Sequence, residues 1–442
     1  METAAANRGR DSGSANTSAE SDSLHRRGLP PLQVGTRLDC GQANGEQGSS
    51  TLQLTWFEGS NGLTPADRCQ EGAAVKDAIR SVDAFTVALD LPRRLRLGDM
   101  EIARRAYAVV VITTDSGISG KAYALSRDAP VASIVRDQLA PVLLGQEADL
   151  VSARWEDCFR ATIAAGRVGA VMRAISLVDI ALWDIKGQRA GLPLWRLLGG
   201  YMPDVEMMLV AGYPTGDQPE VLGAKIGEYG REGNRLLKVA RVPDPEEMRR
   251  LLDSAAAQLP DGCELVVDAA WAWRQAGDVA REVRSWGDTR LAWLEDPLPP
   301  ENVRAYSRLR RALPTSIGVG DEVTDPYVFE RLLADDAIDV VRLDVNTIGG
   351  ITGAARVWHL ANAAGLPVSY HVYPEVHVHL AAASSQRAIV ESFDWRANPF
   401  DPANRFIEGG PAYRPGVATA TEEPGLGFEL DRDVLKRHRV DA

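Results

Sequence analysis

The second half of this 442-residue chain repeats one unit, a short apolar run followed by an amphipathic stretch. The runs VEMMLVA, LLKVA, ELVVD, LAWLE, SIGVGD, IDVVRLD, LPVSYH and AIVE succeed one another at spacings of roughly 20–30 residues. Few architectures accept such a pattern. A βα repeat places each run on a parallel strand and each amphipathic stretch on a covering helix, and eight such strands close into a barrel. Six successive runs finish on a polar residue: Asp268, Glu295, Asp321, Asp344, His371 and Glu391, at intervals of 27, 26, 23, 27 and 20. In parallel strands these ends share one rim, where barrels of this kind carry their chemistry. LAWLEDPLPP reads the same way: LAWL is the strand, Glu295 follows it on the rim, and the prolines prevent continuation.

Asp268, Glu295 and Asp321, converging from neighbouring strands, would repel one another strongly. A hard divalent cation with oxygen ligands removes that cost, and Mg²⁺ is the expected one. A plainer reading pairs each carboxylate with a lysine or arginine, or has it cap the next helix. That accounts for any one of them but not for a set in register on consecutive strands. Asp321 rather than Glu322 keeps the strand interval, and alternation points Glu322 elsewhere. Next along the rim, Asp344 bonded to one nitrogen of His371 would fix the tautomer and make the other nitrogen a general base. His377 and His379 fall where the next helix begins and receive no role. Lys238 and Glu391, at the ends of LLKVA and AIVE, complete the ring, and for each the plain alternative is a surface ion pair.

Residues 1–75 are rich in Ser, Gly, Asn, Ala and Glu and read as a disordered extension in which only LQLTWF (53–58) is apolar enough to dock. AYAVVVITTDSGISGKAYA (106–124) is a hairpin turning at DSG. Val171, Ile175, Val178, Leu182 and Ile185 form one apolar stripe of a long helix that glycines terminate. An α+β domain over 76–200 is therefore expected ahead of the barrel at 201–395. The formal charge of −12 disfavours nucleic acid and anionic membrane as general partners. The longest apolar runs are too short to span a bilayer. Four scattered cysteines without a CxxC pair, and an N-terminus with no hydrophobic signal segment, lead to the expectation of a cytoplasmic protein.

The barrel motifs LKVA, VVDAAWAW, WLEDP, VGDE, VRLDVNTIGGIT, YHVYPEVHVHL and VESFDW, in this order, resemble the enolase superfamily. AISLVDIALWDIKGQRAGLPLWRLLGG resembles the cap–barrel junction helix of its mandelate racemase branch. The resemblance runs from about residue 77 to 431. It implies an α+β cap, a modified (β/α)₇β barrel, and a C-terminal segment (396–442) returning to the cap. It also implies Mg²⁺ on Asp268, Glu295 and Asp321, and a small-molecule carboxylate substrate, with homo-oligomers common among relatives. His371 with Asp344 resembles the base dyad, Glu391 the acid that hydrogen-bonds the substrate carboxylate, and Lys238 the first lysine of a KxK pair that neutralises it.

Two positions depart from that pattern. Ala240 replaces the second lysine, with Arg241 beside it, so the base on the opposite face is missing. Ala270 stands where relatives often carry asparagine or histidine. Racemisation needs proton transfer on both faces, whereas dehydration of a sugar acid to a 2-keto-3-deoxy acid needs one base, so dehydration is the expectation. A racemase, epimerase or cycloisomerase would need a replacement base, such as Arg241 or a cap residue. A relative that only binds acids is the remaining alternative. LPRRLRLGDM (91–100) is a candidate substrate-facing loop.

Overall fold

The computed structural model describes residues 77–440, apart from 98–99, 214–217, 288–290, 397 and 399; at 96, 97 and 100 it describes the backbone alone. The expected extension over 1–75, with LQLTWF, lies outside the described residues. β1 (Ile79–Leu97), β2 (Met100–Thr114) and β3 (Ser119–Leu125) form an antiparallel sheet in that order. The β2–β3 hairpin turns where DSG stands, and Gly117 (φ 89°) takes the left-handed position the turn requires. Of LPRRLRLGDM, residues 91–97 are strand rather than loop, and 98–99 lie outside the described residues. β1 continues through it to Leu97, and its exposed Arg94 pairs with Glu101 of β2 at 2.5 Å.

The helix Ala170–Ala190 buries the expected stripe, and nearly everything else as well. It packs against β3 on one side and the barrel helix Gly350–Ala363 on another, so polar residues on its remaining faces need partners. They have them. Ser176 accepts from Gly349 N, Asp179 from Thr352 N (2.9 Å) and Oγ1 (2.6 Å), and Asp184 from Lys121 N and Leu426 N. Gly350 (φ 74°) is obligatory at this contact, since a Cβ would lie 2.3 Å from Asp179 Oδ2.

Eight parallel strands form the barrel: β4 (Asp204–Gly212), β5 (Leu236–Ala240), β6 (Glu264–Asp268), β7 (Leu291–Glu295), β8 (Ile317–Val319), β9 (Val340–Leu343), β10 (Val368–Tyr370) and β11 (Ala388–Ser392). β11 pairs with β4 to close it, and a helix follows each of β4 to β10, giving (β/α)₇β. Met208, Leu236, Val266, Trp293, Val340 and Ile389 meet inside as an apolar plug. Because strand side chains alternate, the inward position two residues further along is the next layer up. In five of these strands that layer is Lys238, Asp268, Glu295, Arg342 and Glu391, all buried. The C-terminal helix Arg432–His438 is followed by Val440, whose N–H donates to Thr86 O of β1.

Candidate active site

Asp268 and Glu295 end their strands, and Glu295 is the last strand residue rather than the first beyond it. Asp321 lies two residues past β8, on a turn held by Asp296, whose carboxylate oxygens accept from Gly320 N (3.1 Å) and Asp321 N (3.0 Å). One ligand atom from each of Asp268, Glu295 and Asp321 lies within 4.8 Å of the others. Lys238 Nζ stands among them: hydrogen-bonded to Glu295 Oε1, 3.2 Å from Asp268, 3.7 Å from Asp321 and 3.1 Å from Glu391. Arg342, fully buried, sends Nε to Glu295 (2.9 Å) and Asp321 (3.0 Å), and a terminal nitrogen to Glu391.

The plainer sequence reading, carboxylates paired with cations, is thus partly realised, but the charges do not balance. Four carboxylates (Asp268, Glu295, Asp321, Glu391) face two cations (Lys238, Arg342), so 4 − 2 leaves a formal excess of two negative charges. Burial, aided by Asp321 and Asp268, pushes Glu295 up to about 8 despite Arg342 and Lys238. A proton on Glu295 partly offsets the missing positive charge. One divalent cation with a preference for oxygen supplies all of it, and three close carboxylates are a suitable donor set.

His371 follows β10 and Asp344 follows β9, and His371 Nδ1 lies 3.0 Å from Asp344 Oδ2. The opposite ring nitrogen, Nε2, is 3.7 Å from Asp321 Oδ2 and therefore faces the carboxylate cluster. Burial alone would depress the imidazole, but Asp321 and Asp344 outweigh it and raise its pKa. Asp344 is held below the ordinary carboxylate range: burial opposes this, but its bond to His371 prevails. His377 and His379 lie in the helix Pro374–Ala383, buried, and are pushed down to about 4, chiefly by burial. They are neutral packing residues.

Glu391 lies in this network, 3.1 Å from Lys238 and bonded to Arg342; burial would favour its protonation, but Lys238 and Arg342 hold it below the ordinary range. One expectation needs correction. Arg241 is no replacement base, since it donates to Glu282 (2.7 Å) and stacks on Trp273. The position two residues beyond Lys238 is filled by buried Ala240.

Arg342 escaped the sequence reading, although it stands two residues before Asp344 on an alternating strand. Glu322 turns away from the triad on a left-handed backbone (φ 63°) and takes ion pairs from Arg127 of the cap and Arg173. Ala270, Trp271, Asp296 and Val372 share that strained conformation on the same rim, as expected where a scaffold fixes functional side chains. The cleft above them is walled by Arg105, Leu125 and Arg127 of the cap and by Asp321 and His371 of the barrel.

A cap of this topology over a barrel of this type defines a class of enzyme, and sequence comparison gives the family. Residues 80–199 match the mandelate racemase/muconate lactonizing enzyme N-terminal domain, and residues 222–434 match the enolase C-terminal domain-like family. The chain belongs to the mandelate racemase/muconate lactonizing enzyme family of the enolase superfamily. It is 31% identical over 335 residues to L-talarate/galactarate dehydratase of Salmonella typhimurium, covering 75% of this chain and 82% of that protein. It is also 31% identical over 341 residues to 3,6-anhydro-alpha-L-galactonate cycloisomerase of Streptomyces coelicolor, covering 75% and 91%. Among solved structures, a racemase from Streptomyces coelicolor A3(2) with bound magnesium superposes with a TM-score of 0.76 at 28% identity, covering 82% of this chain and 100% of that one. L-Talarate dehydratase from Polaromonas sp. JS666, complexed with Mg and L-glucarate, superposes with a TM-score of 0.75 at 27% identity, covering 83% and 98%.

Proposed function

We propose that this chain is a Mg²⁺-dependent dehydratase that converts a sugar acid to a 2-keto-3-deoxy acid. One observation carries the reading: a single imidazole, backed by Asp344, faces the buried triad, while the corresponding place on β5 holds Ala240. Asp268, Glu295 and Asp321 would hold the ion, which when bound supplies a hard Lewis acid that stabilises charge building on a substrate carboxylate.

A proton α to a carboxylate is weakly acidic because its loss creates a dianion. Lys238, pressed against the same carboxylates, places a second positive charge beside the developing enediolate. Asp344 fixes the His371 tautomer so that Nε2 takes the α-proton. The C–H pair becomes the C2–C3 double bond as the β-hydroxyl departs. His371, now protonated, returns its proton to that hydroxyl, which leaves as water, and the enol tautomerises to the ketone. Glu391 and Arg342 position Lys238 and the triad by ion pairing.

The cycloisomerase relative supports a second reading, in which the departing β-oxygen stays tethered and no water is lost. Purified protein incubated with Mg²⁺ and a panel of sugar acids separates the two. Dehydration gives a product lighter by one water that traps as a semicarbazone, whereas cycloisomerisation conserves mass. His371→Asn should abolish either turnover while leaving the fold intact, and undiminished turnover in that variant would refute the role of the base.

A further inference from the structure

Among the described residues, Arg105 is a buried cation with no carboxylate in ion-pair contact. It lies on β2, where alternation turns Arg104 outward, exposed and 3.4 Å from Asp90, and turns Arg105 inward, where it is 7% exposed. Its Nε donates to Phe400 O at 2.9 Å. Among the described residues no carboxylate comes within 4.0 Å of its guanidinium, and no further hydrogen bond is made by it. The two other arginines nearby are committed: Arg127 and Arg173 both pair with Glu322. Arg105 nevertheless walls the same cleft as Asp321 and His371, from the cap side. Asp401 lines it too, but its Oδ1 is taken by Tyr107 OH and Ala403 N (3.0 Å), and it makes no ion pair with Arg105. An enclosed charge with no partner is costly to keep, and a ligand that brings the missing anion removes the cost.

We infer that Arg105 receives the far carboxylate of a diacid sugar, so that the substrate is an aldaric rather than an aldonic acid. This rests on the proposed dehydratase reading for the near end of the molecule. The metal triad and Lys238 take the carboxylate next to the abstracted proton, and Arg105 takes the one at the other end of the chain. With Nε occupied by Phe400 O, the two terminal nitrogens remain as a planar fork, which suits the two oxygens of a carboxylate. A terminal CH₂OH would leave that charge as unmatched as in the free enzyme, so the guanidinium favours diacids by anchoring them.

Steady-state kinetics on six-carbon diacids, each paired with the monoacid of the same configuration, test this in wild type, Arg105→Met and Arg105→Lys, with melting temperature as the control for folding. Wild type should favour the diacid. Arg105→Met should lower kcat/KM for the diacid by about 10- to 100-fold, mostly through KM, as expected for loss of one charge-assisted contact. The monoacid should change by less than about threefold, and Arg105→Lys should recover part of the loss. Calorimetry in the His371→Asn background, with Mg²⁺ and galactarate against galactonate, reads binding without turnover and should show the same dependence on Arg105. A wild-type preference for the monoacid, an unchanged diacid-to-monoacid ratio in Arg105→Met, or no diacid binding overturns the inference. Binding of diacid that depends on Arg105 without dehydration of any acid would overturn the dehydratase reading and leave this one standing.

Discussion

Arg342 binds Glu295, Asp321 and Glu391 at once, and without its guanidinium Lys238 alone would face the cluster. Removing one partner from a buried ion network leaves uncompensated charge, so Arg342→Met should destabilise the fold by about 3–5 kcal/mol, measured by denaturant unfolding without added metal. Loss of less than about 1 kcal/mol would mean that Arg342 does not serve as the counter-ion of this cluster. The same residue marks the limit of what the sequence disclosed. The acids and the histidine stood out because strands ended on them. Arg342 lies inside its strand, where a charged residue within VVRL looks like an outward-facing exception until the layer beneath it is known. Arg105 was hidden likewise, one of two adjacent arginines in a strand whose inward face depends on how the cap is seated.

Among the elements, the helix Ala170–Ala190 shows why a pattern of apolar spacing gave the right element and the wrong surroundings. Its stripe identified a helix correctly, but Asp179 and Asp184, which would mark the wet side of an amphipathic helix, are buried against the barrel helix Gly350–Ala363 and the C-terminal segment. Burial, the dominant influence, raises Asp179 from 3.8 to about 7 although its hydrogen bonds with Thr352 pull the other way. A carboxyl whose folded pKa is raised contributes stability that is fully present below its unfolded value and is lost as pH rises through the folded one. The stability advantage of wild type over Asp179→Asn should therefore be largest below about pH 4, shrink as pH rises from there to about 7, and level off above. Urea unfolding of both proteins across that range checks it, and a gap that widens with pH would contradict the burial account.

For the whole molecule, the repeat of strand and helix fixed the barrel, because eight evenly spaced runs have few other ways to cover one another. How the cap meets the barrel was not readable, since contacts such as Arg127 with Glu322 join residues 195 positions apart and neither carries a local signal. In this state the cleft is tight, with free space of about 40 Å³, little more than the roughly 30 Å³ share of one water. Its walls come from both cap and barrel, so residues on both would shape selectivity. A divalent ion would balance the excess charge at the barrel mouth. Calorimetric titration of Mg²⁺ into metal-free protein should give saturable binding of one ion per chain, accompanied by a rise in melting temperature, and both should disappear in Glu295→Gln. No saturable binding in wild type, or equal binding in Glu295→Gln, would contradict it.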